Sequence, residues 1–228
     1  MKRLLFQLIC LLTSFVACSQ AGYDILYATT VEELPAFMRS SDHKPVPGYS
    51  RLVFNDSASY YYFFPYRKDP MKENIEYGPK VLHHSQICDL REQISYGGVA
   101  YQLPEKKRYY VSYPLRVIEW TYQDESKTIL GYQCKKALIT SIGWVKADTL
   151  YRSYTDSTIA WYAEQIKLPF GPANYYGLPG VVLEAYDQRL WGRHIIAEKI
   201  VAKPVSILIP ETIDVVPVSG TEHGKRRK

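Results

Sequence analysis

The chain lacks the short motifs that announce the common active sites. It has no Gly-x-Ser-x-Gly elbow, no His-Glu-x-x-His, no Cys-x-x-Cys and no Gly-x-x-x-x-Gly-Lys-Ser/Thr. It therefore carries no sequence sign of a serine hydrolase, a zinc protease, a dithiol redox centre or a phosphate cradle. Histidine is sparse, at five residues. His84, Gln86 and Cys88 would share one strand face, but two ligands do not close a four-coordinate zinc site. No metal and no cofactor is expected. No apolar run reaches the roughly 20 residues a membrane-spanning helix needs.

A broad basic surface is also missing. The formal net charge is +5, yet four basic residues crowd the end as Lys225, Arg226, Arg227 and Lys228, and Lys2 and Arg3 open the chain. The body between holds 22 basic against 23 acidic residues. A basic tail on a neutral body does not make a nucleic-acid binder.

The start reads as a leader. Lys2 and Arg3 precede an uncharged, largely apolar run from Leu4 to Ala17, and small residues follow. That is the layout of a secretory signal peptide, here residues 1–21. Two processing routes fit. Ser19-Gln20-Ala21 suits cleavage after Ala21; Phe15-Val16-Ala17-Cys18 resembles a lipobox that would lipidate Cys18. The expected location is exported, in the periplasm or tethered to the outer membrane. Cys88 and Cys134 are the two cysteines beyond the leader. In an oxidising compartment they form one disulfide or stay as two buried thiols.

What the chain has in plenty is tyrosine, 21 residues, with many β-branched neighbours. Arg51–Phe54, the polar Asn55-Asp56-Ser57 and Tyr60–Phe64 read as a hairpin. Further strands are expected over 81–90, 93–101, 108–113, 117–123, 131–142, 149–154, 158–165, 181–187 and 193–201, with a last short one over 204–210. Gln123-Asp124-Glu125-Ser126 reads as a turn, and residues 31–39 as a short helix broken at Pro35. Ile159, Trp161 and Ala163 alternate with Thr158, Ala160 and Tyr162. The fold expected is mainly β: one domain over 22–210 with a large curved antiparallel sheet, at most one or two short helices, and a basic disordered tail over 211–228.

Flat aromatic faces with polar tips can line a groove. Tyr61, Trp161, Tyr175 and Tyr176 are the candidate ligand-binding residues. Glu184 interrupts an apolar strand and calls for a partner such as Arg193 or Lys199; with Asp187 it is the candidate carboxylate if the protein is an enzyme. No catalytic residue is assigned, and the reading leans away from an enzyme.

The segment "FGPANYYGLPGVVLEAYD" punctuates the C-terminal half. Pro179 and Gly180 suit the two central positions of a type II turn, with φ > 0 at Gly180. A strand follows, where a phosphate loop would need a helix start. The chain resembles the GLPGLI family of exported Bacteroidota-type proteins on three segments in order: Gly131-Tyr132-Gln133-Cys134-Lys135-Lys136-Ala137, Ala160-Trp161-Tyr162, and Gly171-Pro172 with Gly177-Leu178-Pro179-Gly180. Val181-Val182 stands where that family usually has Leu-Ile. The resemblance implies export and a single domain, and carries over no catalytic residues. The expected role is non-catalytic binding of an apolar small molecule or an envelope partner on an aromatic-rich sheet face. An envelope hydrolase and a structural subunit of a surface complex are the alternatives.

Overall fold

The computed structural model describes residues 21–31, 48–64, 85–102, 107–147, 150–188, 192–210 and 215–217. They form twelve strands and no helix. The strands are β1 (Ala21–Val31), β2 (Gly48–Phe54), β3 (Ala58–Phe64), β4 (Ser85–Asp89), β5 (Ile94–Gln102) and β6 (Lys107–Pro114). They continue as β7 (Thr121–Ile129), β8 (Tyr132–Ala147), β9 (Leu150–Ala163), β10 (Val181–Asp187), β11 (Arg193–Pro204) and β12 (Val215–Pro217). All belong to one sheet, in the order β12-β6-β5-β4-β3-β2-β1-β11-β10-β9-β8-β7. Every pairing is antiparallel except β12 on β6. The mainly β, single-domain reading holds.

The connection from β6 to β7 shows why the sheet curls. These strands are ten steps apart in the sheet, about 48 Å if it were flat. Only residues 115–120 join them, and seven residue steps of extended chain reach about 25 Å. The two ends of the eleven-strand antiparallel run must therefore approach each other.

Local chemistry sets several elements. The β2–β3 hairpin turns where expected: Asn55 Oδ1 accepts from the Ser57 and Ala58 amides at 3.0 and 2.9 Å, which is an Asx turn. Alternation then divides the tyrosines. Tyr61 and Phe63 join the main core with Leu52, Phe54, Ile25 and Tyr27, whereas Tyr60 and Tyr62 join a second cluster with Ile87, Tyr96, Tyr110 and Ile207.

Several boundaries differ from the sequence reading. Gln123–Ser126 is no turn; it lies inside β7, and the register shift there absorbs Asp124 and Glu125 as a bulge. The segments 149–154 and 158–165 fuse into β9. Residues 205–210 are not a strand, and β12 comes later. The central strand β1 was not anticipated at all. It begins at Ala21, where the leader was expected to end, and the aromatic and β-branched pattern of Tyr23, Ile25, Tyr27 and Thr29 was there to be read. Residues 32–47, which hold most of the expected helix, and His84, Cys18 and most of the tail lie outside the described residues.

Asp24 anchors this centre. Its carboxylate is buried and pairs with Arg51 and Lys203. Burial pushes its pKa up, but the two cations outweigh this and hold it below the usual carboxylate value.

Candidate functional site

The motif-bearing segment 164–180 joins β9 to β10. It packs on the sheet face that carries Phe54, Ala185 and Asp187. The Phe170 ring lies 5.5 Å from that of Phe54, and Phe170 and Leu178 are buried. Backbone bonds tie it at both ends: the Val181 amide donates to Ile166 O at 3.1 Å and the Val182 amide to Phe170 O at 2.9 Å.

Its glycines divide the work differently from the expected type II turn. Left-handed backbone falls at Gly177, φ +87°, and at Ala173, φ +53°, and Gly180 has no such conformation. Gly180 is needed for a different reason. A Cβ there would sit 2.2 Å from Ala163 O and 2.5 Å from its carbonyl carbon, so β10 enters the sheet against bare backbone. Gly171 is equally confined, since its Cβ would meet Tyr175 O at 1.8 Å.

Both tyrosines of this segment are held by the chain itself, Tyr175 buried and Tyr176 half-buried. Tyr175 is 4 % exposed; its hydroxyl donates to Asp187 Oδ2 at 2.9 Å and accepts from Arg193 Nη2 at 2.9 Å. Burial pushes its pKa up to about 12, against the opposing pull of Arg193. Tyr176 holds the 115–120 connection. Its hydroxyl accepts from the Arg116 amide, and its carbonyl from Trp120 Nε1, each at 3.0 Å. Tyr61 is buried in the core. Burial raises its pKa as well, with Ser50 and Arg193 working against the rise. Asp187 is buried beneath Tyr175. Cys88 and Cys134 are two free, buried thiols rather than a disulfide, both pushed up to about 11 by burial.

Trp161 differs from these. It sits on the opposite face, where the register sets Lys136, Trp161 and Glu184 side by side across β8, β9 and β10. Lys127 reaches over the indole, 4.3 Å from the ring centre, and meets Glu184 Oε2 at 2.5 Å. His194 Nε2 contacts Glu184 Oε1 at 3.0 Å, and the Tyr186 ring packs edge-on to His194. The partners of Glu184 are thus Lys127 and His194, not Arg193 or Lys199.

This ion pair forms one wall of an open groove of about 360 Å³. Thr128, Ile129 and Leu130 line one side and Ile196 and Ala197 another. Leu130 is the unusual member. With Gly131 it forms the two-residue β7–β8 turn, and both have positive φ, +48° and +84°. That is the pattern of a type I′ hairpin, which favours Asn-Gly. A leucine there costs about 1–2 kcal/mol, and it remains 47 % exposed. Among the described residues, no cluster of three or more His, Cys, Asp or Glu could hold a metal, and no helix is long and apolar enough to cross a membrane.

Fold and groove together define an open, curled antiparallel β domain with a charged, apolar-floored surface groove. Residues 120–184 match the model of a family described as "Protein of unknown function (Porph_ging)". That span holds Trp161, the motif segment and all the groove residues of β7 and β10. No curated protein sequence matches the chain. Two solved structures of PNGF-II, in C2 and P21 crystal forms, share the fold at 14 % identity, with TM-scores of 0.55 and 0.53. They align over 88 % and 87 % of this chain, which spans 31 % of the length of each.

Proposed function

We propose that this chain is an exported cell-envelope protein of the GLPGLI type, and that it binds an apolar group of a ligand or envelope partner without catalysis. The observation that carries this reading is the groove beside Trp161, with its strained, exposed Leu130. Strained backbone at an exposed apolar residue gathers where a surface is used rather than merely packed. The opposite face is filled by Phe170, Tyr175 and Leu178 of the chain itself, so among the described residues the groove is the better receptor. The basic start and apolar run support export; they leave cleavage after Ala21 and lipidation of Cys18 as the two routes.

A neutral apolar dye, N-phenyl-1-naphthylamine, tests the reading. It should bind saturably and quench tryptophan fluorescence, and Ile196→Ser should weaken binding about tenfold while Tyr122→Ser does not. Equal binding by both variants would sink the proposal. The hydrolase alternative rests on the Glu184–His194 contact. Under it, Glu184→Gln abolishes an activity at unchanged melting temperature; under the binding reading it alters only dye affinity.

A further inference from the structure

The groove beside Trp161 is apolar on its floor and charged on one wall, and the wall restricts the head group that an apolar guest can carry. Around Trp161 each ammonium is matched with a carboxylate. Lys127 Nζ meets Glu184 Oε2 at 2.5 Å, and Lys136 Nζ meets Glu125 Oε1 at 2.7 Å. The two ammonium groups lie 4.3 and 5.8 Å from the centre of the indole ring. His194 Nε2 takes the second oxygen of Glu184. At about pH 8, where imidazole is uncharged, the four charges cancel. Both oxygens of Glu184 are engaged and only 12 % of its side chain is exposed, against 35 % for Lys127. A guest in the groove therefore meets the N–H groups of Lys127 before it meets the carboxylate.

A charged head finds its own sign in this wall whichever sign it has. A carboxylate would compete with Glu184 for Lys127 and come to lie beside Glu184. An ammonium would compete with Lys127 for Glu184 and come to lie beside Lys127. Like charges side by side are costly, and an apolar chain that excludes water from the groove strengthens the repulsion. An uncharged oxygen meets no such cost. An ammonium has three N–H donors, and Glu184 Oε2 takes one direction of Lys127 and the indole face another. A carbonyl or hydroxyl oxygen can accept from the remaining direction and leave the ion pair intact.

The size of the groove limits the apolar part. Its volume of about 360 Å³ stands at the small end of ligand sites, which run from about 300 to 1,000 Å³. It seats one short chain, with Leu130 and Ile196 on facing sides.

Building on the apolar-binding reading of the groove, we propose that its ligand is an uncharged amphiphile, with a short hydrocarbon chain on Ile129, Leu130, Ile196 and Ala197 and a neutral carbonyl or hydroxyl head that accepts from Lys127. Three probes of matched chain length compete for bound N-phenyl-1-naphthylamine at about pH 8, each kept below the concentration at which it forms micelles. They are 1-monooctanoylglycerol, sodium octanoate and octyltrimethylammonium chloride. The glycerol ester should displace the dye from the full chain at a concentration about tenfold lower than either charged probe. Glu184→Gln, which leaves Lys127 without its acid, should move the preference to octanoate. Lys127→Met, which leaves Glu184 without its ammonium, should move it to octyltrimethylammonium. Circular dichroism checks that both variants are folded. Dye that binds but is released equally by all three probes, or most readily by a charged one, overturns the neutral head and leaves the groove reading standing. So do folded variants that keep the wild-type preference. Dye that fails to bind, or that binds Ile196→Ser as tightly as wild type, overturns the groove reading and the neutral head with it.

Discussion

Two irregular stretches lie within residues 120–184, and they carry backbone strain differently. The motif segment places glycine at Gly171 and Gly180, where a Cβ has no room, and at Gly177 with positive φ, while Ala173 takes φ +53° between them. Its tyrosines are tied down. The β7–β8 turn places a leucine at φ +48° and leaves it in solvent. In the first stretch the one strained side chain is a methyl packed against the core, where folding alone accounts for it. In the second a large apolar side chain at positive φ stands in solvent, and such conflicts between residue and backbone collect at working surfaces. The aromatic abundance that suggested a binding face is thus mostly core, and the better candidate surface surrounds Trp161 and Leu130.

The largest effect should come from Gly180→Ala. The added methyl meets the Ala163 carbonyl at 2.2 Å, and backbone in mid-sheet cannot give way as a side-chain tip can. The cost should be about 3 kcal/mol or more, a fall in melting temperature of about 6–12 °C for a chain of this size. Calorimetry checks it, and a fall of less than about 2 °C would mean that β9 and the motif do not approach as closely as drawn.

Tyr175→Phe comes next. It removes one hydroxyl that serves both Asp187 and Arg193, at a ring only 4 % exposed. The expected loss is about 1–3 kcal/mol. Tyr122→Phe, at a ring 58 % exposed, should change stability by no more than about 0.5 kcal/mol. Equal effects in chemical denaturation would erase the contrast between a tied and a free tyrosine.

Much of the fold was legible because local chemistry and alternation carried it. Asn55-Asp56-Ser57 announced a turn, and Thr158, Ala160 and Tyr162 announced one face of β9. The failures have physical reasons. Asp124-Glu125 looks like a turn, but a bulge on an edge strand accommodates two exposed acids equally well. The glycine signal in Gly177-Leu178-Pro179-Gly180 was real, but composition does not distinguish a left-handed glycine from one crowded by a neighbouring strand. The groove was illegible because its wall pairs Lys127 with Glu184 across two intervening strands. Only the register brings them together. Leu130-Gly131 gave no turn signal because leucine is a poor turn residue, which is also why it is informative.

Leu130→Asn turns that last point into a measurement. Asn-Gly is the preferred pair for a two-residue hairpin of this type, and asparagine tolerates positive φ at less cost than leucine. If Leu130 served only the fold, the exchange would stabilise the chain and change nothing else. If it serves the groove, stability should rise by about 0.5–1 kcal/mol while affinity for N-phenyl-1-naphthylamine falls, because an apolar wall has been made polar. A rise in stability with unchanged dye binding would leave the strain without a use at this surface. A fall in stability would mean that packing of the Leu130 side chain outweighs its backbone cost, and the contrast between the two stretches would narrow to the motif glycines.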